Sequence, residues 1–406
     1  MNITRSSAEK LDREDPLAAA RERFYIPNPE TIYLDGNSLG RLPLETRDRI
    51  AQVVDNQWGD HLIRSWSEGW MELPTSIGDR LGGATLGAQN GETIVCDNVT
   101  VNIKKIMYAA QLMRADRPDV IAHRGDFPTD RYLATHQTNA RGGHVRWIEH
   151  DTALDPRSLD ADDITALLDE QVAFVHLSAV DYRSAAVADL VAITNAVHDA
   201  GALMIWDCSH AAGAIELDLH AIDADFAVGC SYKYLNGGPG APAWIWVNSR
   251  NHDELATPIP GWMGHADVFA MSDEYVPAAG VRQFMTGTPS PIAMAAVDAG
   301  VGIITEYGMG AIHRKAKELT TYAVDLADEL FDGLGVTVAS PRSAEHRGAH
   351  VTLRHPNARA LVDELVARDV IPDFRNPDGI RIGLSPLTTR FVDIYDGLTA
   401  MHGLVL

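Results

Sequence analysis

The sequence predicts an α/β fold: a large, mainly parallel sheet followed by a smaller α+β domain. Three observations predict it. Apolar runs without alternation, such as Ala202–Trp206 and Phe226–Cys230, suit strands buried on both faces, as in a parallel sheet covered by helices. A helical pattern from Val187 to Gly201 separates the run Val172–Val180 from Ala202–Trp206, which makes a β-α-β unit. From about Pro291 the pattern changes to helices over 292–306 and 311–331, short strands over 336–339 and 349–353, and a helix over 358–369. A chain of 406 residues is too long for one ordinary core. The expected division is an N-terminal arm with part of the small domain over 1–60, a large domain over 61–290 and a small domain over 291–406.

Composition narrows the classes. A hydrophobic content of 46 % supplies a sizeable core, and a formal charge of -22 argues against nucleic acid or an anionic membrane surface as partner. The three cysteines, Cys96, Cys208 and Cys230, lie in or beside apolar strand-like runs. They read as reduced, buried thiols and not as a disulfide framework. The first 30 residues lack the apolar core of a secretory signal, and no run approaches the ~20 residues that span a bilayer. A soluble cytoplasmic protein is expected.

Taken in order, Ala18 to Phe24 ends a helical arm at Pro27 and Pro29, and a turn-rich segment, YLDGNSLG, follows from Tyr33. Residues 44–70 read as a helix and then a loop rich in Trp and Gly, with His61, Arg64 and Trp66 either packing or facing a ligand. The strand Thr93–Cys96 turns through Asp97-Asn98 into a helix running to about Arg114. Its N-terminus exposes unpaired amides and a positive partial charge that suit a phosphate, with Asn98 or Thr100 as ordinary caps otherwise. After the strand Val120-Ile121-Ala122 comes Phe127-Pro128-Thr129-Asp130, where an aromatic in a strand-end loop either stacks on a flat ring or joins the core.

The chemistry concentrates between Trp206 and Trp246. Asp207 follows one apolar run, His210 lies three residues on, and Lys233 follows the second run just before Gly237-Gly238-Pro239-Gly240. Ligand sites in open parallel sheets collect at carboxyl strand ends. An acid and a lysine at two such ends suit pyridoxal phosphate, whose pyridine nitrogen needs a carboxylate and whose aldehyde needs an amine. The plainer reading makes Asp207 a helix cap and Lys233 a solvated charge. In the second domain Arg381 interrupts the apolar strand Gly379-Ile380-Arg381-Ile382-Gly383, and it either points out of an edge strand or meets a carboxylate.

Six motifs in order resemble the kynureninase family: YLDGNSLGRLP at 33–43, WGDHLIRSW at 58–66, FPTDRYL at 127–133, SYKYLNGGPGAPAWIWV from Ser231, GWMGH at 261–265 and DFRNPDGIRIGLSPLTTRFVD at 373–393. The resemblance covers almost the whole chain. It implies the type I fold of pyridoxal-phosphate-dependent transferases and hydrolytic Cβ–Cγ cleavage of L-kynurenine or 3-hydroxykynurenine. The products are anthranilate, or its 3-hydroxy form, and L-alanine. It assigns the Schiff base to Lys233, the ring nitrogen to Asp207, and proton relay and phosphate contact to Tyr232.

Further cofactor contacts implied by the resemblance are Val99, Thr100, Phe127, Pro128, Thr129, Asp130, Ser178 and His210. Arg381 matches the α-carboxylate partner, with Asn37 and Ser38 near the substrate. Trp262 and Thr288 belong to the neighbouring subunit's site, Trp262 towards the phosphate and Thr288 near the substrate's aromatic end, which implies a homodimer with shared active sites. Val180-Asp181-Tyr182-Arg183-Ser184-Ala185 departs from the VNYRTG pattern of many bacterial members, in an acid at 181 and a missing glycine at 185.

Alternatives are a related class V enzyme such as a cysteine desulfurase-like lyase, or a kynureninase-like enzyme acting on a modified kynurenine. All three thiols lie at or before Cys230 in strand-like contexts, which speaks against the former. A metal site from His123, His136, His144 and His150 fits no compact motif, so no metal is expected.

Overall fold

The fold is described from a computed structural model covering residues 3–406; the first two residues of the expected arm lie outside the described residues. Seven strands form the large sheet, in the order Thr93–Cys96, Ala243–Val247, Phe226–Gly229, Leu203–Asp207, Val172–Ser178, Asp119–His123 and Val145–Ile148. Neighbours run parallel except Ala243–Val247, which is antiparallel to both of its partners. Alternate residues of each strand feed opposite faces. Val175, Met204, Trp206 and Trp244 pack on one side, and Phe174, Leu203, Ile205 and Ile245 on the other. Covering both faces is why these runs show no polar alternation.

The second core lies around the antiparallel sheet Asp373–Arg375, Gly379–Gly383, His350–Arg354 and Thr337–Val338. Arg381 therefore sits on an inner strand, opposite Thr352 on one side and Asp373 on the other. The outward-pointing edge-strand reading does not hold: Arg381 is 1 % exposed.

The helices that follow the expected boundary at 290/291 contribute to both cores. Helix Pro291–Tyr307 packs Met294, Val297, Val301 and Ile304 into the large-domain core, as does Ile312 of the next helix. That next helix, Met309–Phe331, joins the small-domain core only from Leu319 onward. At about 1.5 Å per residue its 23 residues are long enough to span both cores. The arm is divided as well, with Ala8 and Leu34 in the small core and Leu17, Ala20 and Phe24 in the large one. Among the described residues no single helix is long and apolar enough to cross a membrane.

Two other expectations change locally. The helix Leu44–Gln52 continues as wider-wound turns through Val53–His61. The Phe127-Pro128-Thr129-Asp130 segment is the start of the helix Pro128–Asn139, where proline suits the first position because its missing N–H would be unpaired there anyway.

The divergent turn at 181–185 has its own support. Asp181 Oδ1 accepts from the amides of Arg183 (3.0 Å) and Ser184 (2.6 Å) and from Ser184 Oγ (2.8 Å). Ala185 takes φ 66°, a left-handed conformation that glycine adopts more cheaply. The acid at 181 thus holds a turn in which alanine replaces the expected glycine. Asp181→Ala strands buried donors and is expected to cost about 1–3 kcal/mol in urea unfolding. A change below about 0.5 kcal/mol would show that the turn stands without this cap.

Candidate active site

The site begins with strand register. Ser178 lies opposite Asp207, and Asp207 opposite Val228, so three carboxyl ends are level. Asp207 is 7 % exposed, and its Oδ1 accepts from the Ser209 amide at 2.7 Å. Burial and the nearby Asp130 charge push its carboxyl up to about 6, against the Ser209 hydrogen bond and the Lys233 charge. Behind it, His176 Nε2 and Asp130 Oδ1 form a buried pair at 2.7 Å. Against the penalty of burial, Asp130 raises the His176 pKa.

Asp126 completes this floor. Burial, reinforced by the Asp130 charge and opposed by His123 and Ser178, pushes its carboxyl up to about 7. A folded pKa above the unfolded value near 3.8 means the folded chain binds the proton more tightly. Stability is therefore withdrawn as pH rises from about 4 through about 7. Asp126→Asn should gain about 2 kcal/mol on its parent between pH 5 and pH 8, read by urea unfolding at both values. Parallel pH dependences would show that Asp126 is ionised throughout.

The Lys233 turn is set by backbone. Gly237 N donates to Ser231 O at 2.8 Å, and Asn236 N to Lys233 O at 3.0 Å. Gly40 N donates to Tyr232 O at 2.8 Å, so the turn at 33–43 lies directly against the lysine loop. A Cβ at Gly40 would come within 2.3 Å of the Lys233 carbonyl oxygen, which no side chain tolerates. Lys233 Nζ lies 2.8 Å from His210 Nε2. Burial, with the charges of Lys233 and Arg381, holds His210 far below its ordinary pKa. The neutral ring accepts from the lysine at Nε2 and carries its proton on Nδ1, a buried atom with no partner among the described residues. Burial raises the Tyr232 phenol, which keeps its proton at neutral pH and so can donate a hydrogen bond.

Opposite Lys233, helix Val99–Met113 presents its N-terminus, with the Asn98 side chain capping Val101 N at 3.1 Å. The first-turn amides at Val99 and Thr100 are groups that a helix cannot satisfy internally, and they suit an anion. Phe127 is 46 % exposed, too open for core, and stands edge-on to Tyr182 with centroids 5.4 Å apart.

One cleft of ≈ 200 Å³ gathers Val99, Thr100, Phe127, Thr129, Asp130, Ser178, Asp207, His210, Tyr232 and Lys233. Its wall also includes Asn98, Val180, Tyr182 and Ser209. Sequence reasoning missed Val180, Tyr182 and Ser209 as lining residues and read Asn98 only as a cap, although Ser209 lies between Asp207 and His210 in the motif. Pro128 opens its helix outside that wall.

Arg381, Asn37 and Ser38 lie one layer behind, where Arg381 Nη1 donates to the Tyr182 carbonyl at 2.7 Å. Trp262, 46 % exposed, and the exposed Thr288 do not line the cleft. His61, Arg64 and Trp66 are also outside it, engaged within their own loop with Glu68, the His61 and Asp60 carbonyls, and Trp70.

Residues 312–401 match the family model of the kynureninase C-terminal domain. The chain is 38 % identical to a kynureninase of Burkholderia pseudomallei (strain 1106a) over 408 aligned residues, 99 % of this chain and 95 % of that one. It is 37 % identical to a kynureninase of Pseudomonas fluorescens, covering 97 % and 94 %. Among solved structures it superposes on a cysteine desulfurase from Thermococcus onnurineus NA1 (TM-score 0.80, 19 % identity, 96 % and 98 % covered). It also superposes on C-DES with glycine covalently linked to its PLP cofactor (TM-score 0.82, 16 % identity, 94 % and 98 % covered). Those two likenesses establish the fold, and the near-full-length identity goes further: the chain belongs to the kynureninase family.

Proposed function

We propose that the cleft binds pyridoxal phosphate and hydrolyses the Cβ–Cγ bond of L-kynurenine, or of its 3-hydroxy form. The products are anthranilate, or 3-hydroxyanthranilate, and L-alanine. The observation that carries this reading is Lys233 held on neutral His210 in the same cleft as buried Asp207, within a chain of this family.

The residues suit the cofactor. The start of helix Val99–Met113 and Tyr232 offer donors to a phosphate, Phe127 a face for a flat ring, and Asp207 a buried carboxylate for a ring N–H. His210 Nδ1–H is an unused buried donor beside them. When bound, the cofactor supplies an electron sink for carbanions formed next to the substrate nitrogen.

The chain's own residues supply the rest. Lys233 Nζ is the amine that takes and returns the proton at the substrate α-carbon, and His210 accepts its hydrogen bond between those events. Asp207 would supply a compensating negative charge to a protonated ring nitrogen. Tyr232, protonated at neutral pH, donates towards developing negative charge. Arg381 pairs with the α-carboxylate as a planar fork. One water is consumed at the γ-carbonyl, and the three-carbon fragment leaves as alanine.

The working unit in this proposal is a cytoplasmic homodimer with Trp262 and Thr288 serving the neighbouring subunit's cleft. A desulfurase-type mechanism finds no support in the thiols, since Cys96, Cys208 and Cys230 are buried and each has its pKa raised by that burial. Steady-state kinetics with kynurenine and 3-hydroxykynurenine side by side test the proposal, with anthranilate release as the signal. Turnover of neither substrate by the cofactor-loaded protein would overturn it.

A further inference from the structure

Arg381 is already occupied by its own chain. Its Nη2 donates to Asp373 Oδ2 at 2.5 Å and to Ser38 Oγ at 2.8 Å, and its Nη1 donates to the Tyr182 carbonyl at 2.7 Å. With the Asn37 amide turned so that its oxygen faces the guanidinium, Nε donates to it at 2.8 Å. A guanidinium has five N–H donors, and these contacts use Nε, one on Nη1 and both on Nη2. The single donor left cannot make a two-point grip on a carboxylate. An incoming α-carboxylate must displace something.

Asp373 is the partner equipped to yield. It faces Arg381 directly across the strand pair, and it already has a second cation, Arg375 Nη2, at 2.5 Å. Ser38 Oγ also approaches its Oδ2 at 3.3 Å. Released from Arg381, Asp373 would still be paired. The other partners are neutral, and losing any of them would leave a buried carbonyl, amide or hydroxyl unsatisfied.

We propose that Asp373 is a built-in carboxylate that occupies the Arg381 fork until the substrate's α-carboxylate takes its place, Asp373 then resting on Arg375. The exchange keeps a negative partner on Arg381 throughout, so a buried guanidinium is never left unpaired. It also makes Asp373 a specificity-determining residue, because an amine without a carboxylate cannot replace it. This inference rests on the reading of Arg381 as the α-carboxylate partner.

The test is the affinity of the cofactor-loaded enzyme for L-alanine, followed by the change in cofactor absorbance, with ethylamine as the probe lacking a carboxylate. Asp373→Asn removes the competing charge and should tighten alanine about 10-fold, close to 1.4 kcal/mol, without moving ethylamine. Arg375→Met removes the resting place of the displaced Asp373 and should weaken alanine about 10-fold. The opposite signs separate displacement from general loss of structure. Alanine binding unchanged or weakened in Asp373→Asn overturns the proposal. Arg381→Lys runs alongside: if it leaves alanine affinity unchanged, the reading of Arg381 fails and the proposal falls with it. If Arg381→Lys weakens alanine while Asp373→Asn does not tighten it, only the displacement is wrong.

Discussion

Replacing Lys233 with alanine is expected to lower kynurenine turnover by about 1000-fold or more while the protein still takes up pyridoxal phosphate. The two effects separate because the binding groups sit on other segments. The helix N-terminus at Val99 and Thr100, the ring face of Phe127 and the carboxylate of Asp207 stand at or just past the carboxyl ends of three different strands. None depends on the lysine side chain for position, since the turn at 231–237 is held by main-chain bonds to Ser231, Lys233 and Gly40. Removing Nζ takes away the group proposed to move the α-proton and leaves His210 Nε2 without its donor. Equilibrium dialysis reports cofactor uptake, and anthranilate fluorescence reports turnover. Borohydride reduction of the parent protein, followed by peptide mapping, locates the labelled amine. A label on a peptide lacking Lys233 would refute the assignment outright.

The second large effect concerns assembly. Chains carrying Lys233→Ala, mixed with chains disabled at both Trp262 and Thr288, should regain about a quarter of parental activity, although each is inactive alone. Trp262 and Thr288 are exposed and do not line the cleft of their own chain, which is what the proposal of service to a neighbour requires. A two-fold dimer has two equivalent shared sites. In a mixed dimer one site collects every lesion and the other contains none. Random reassortment makes about half the dimers mixed, and half of their sites work. If exchange is demonstrated by a mass or tag difference and activity stays at zero, these two residues act within their own chain.

The parts of this protein legible in its sequence share a physical basis. Burial on both faces makes a strand continuously apolar, so runs such as Leu203–Asp207 and Phe226–Gly229 announce a covered parallel sheet. Polar residues that follow such runs stand at the carboxyl edge of that sheet, which is why Asp207 and Lys233 could be located there in advance, whereas Ser178 came from the family resemblance. The helix start after Asn98 was readable because capping depends on neighbours a few residues apart.

Tertiary structure alone decided the rest. Arg381 meets Ser38 across 343 positions of sequence, and nothing in the pattern of Gly379–Gly383 says that Asn37, Ser38 and Asp373 consume its donors. Whether that strand is an edge or an inner strand depends on Asp373–Arg375 pairing beside it, a contact between segments and not a property of either. The domain boundary follows the same rule. Helix Pro291–Tyr307 has an apolar face that suits either core, and only packing against the large domain assigns it. Local periodicity records how deeply a segment is buried. Which segment it is buried against is settled by the complementarity of surfaces that chain closure brings together, and that information is spread over the whole chain.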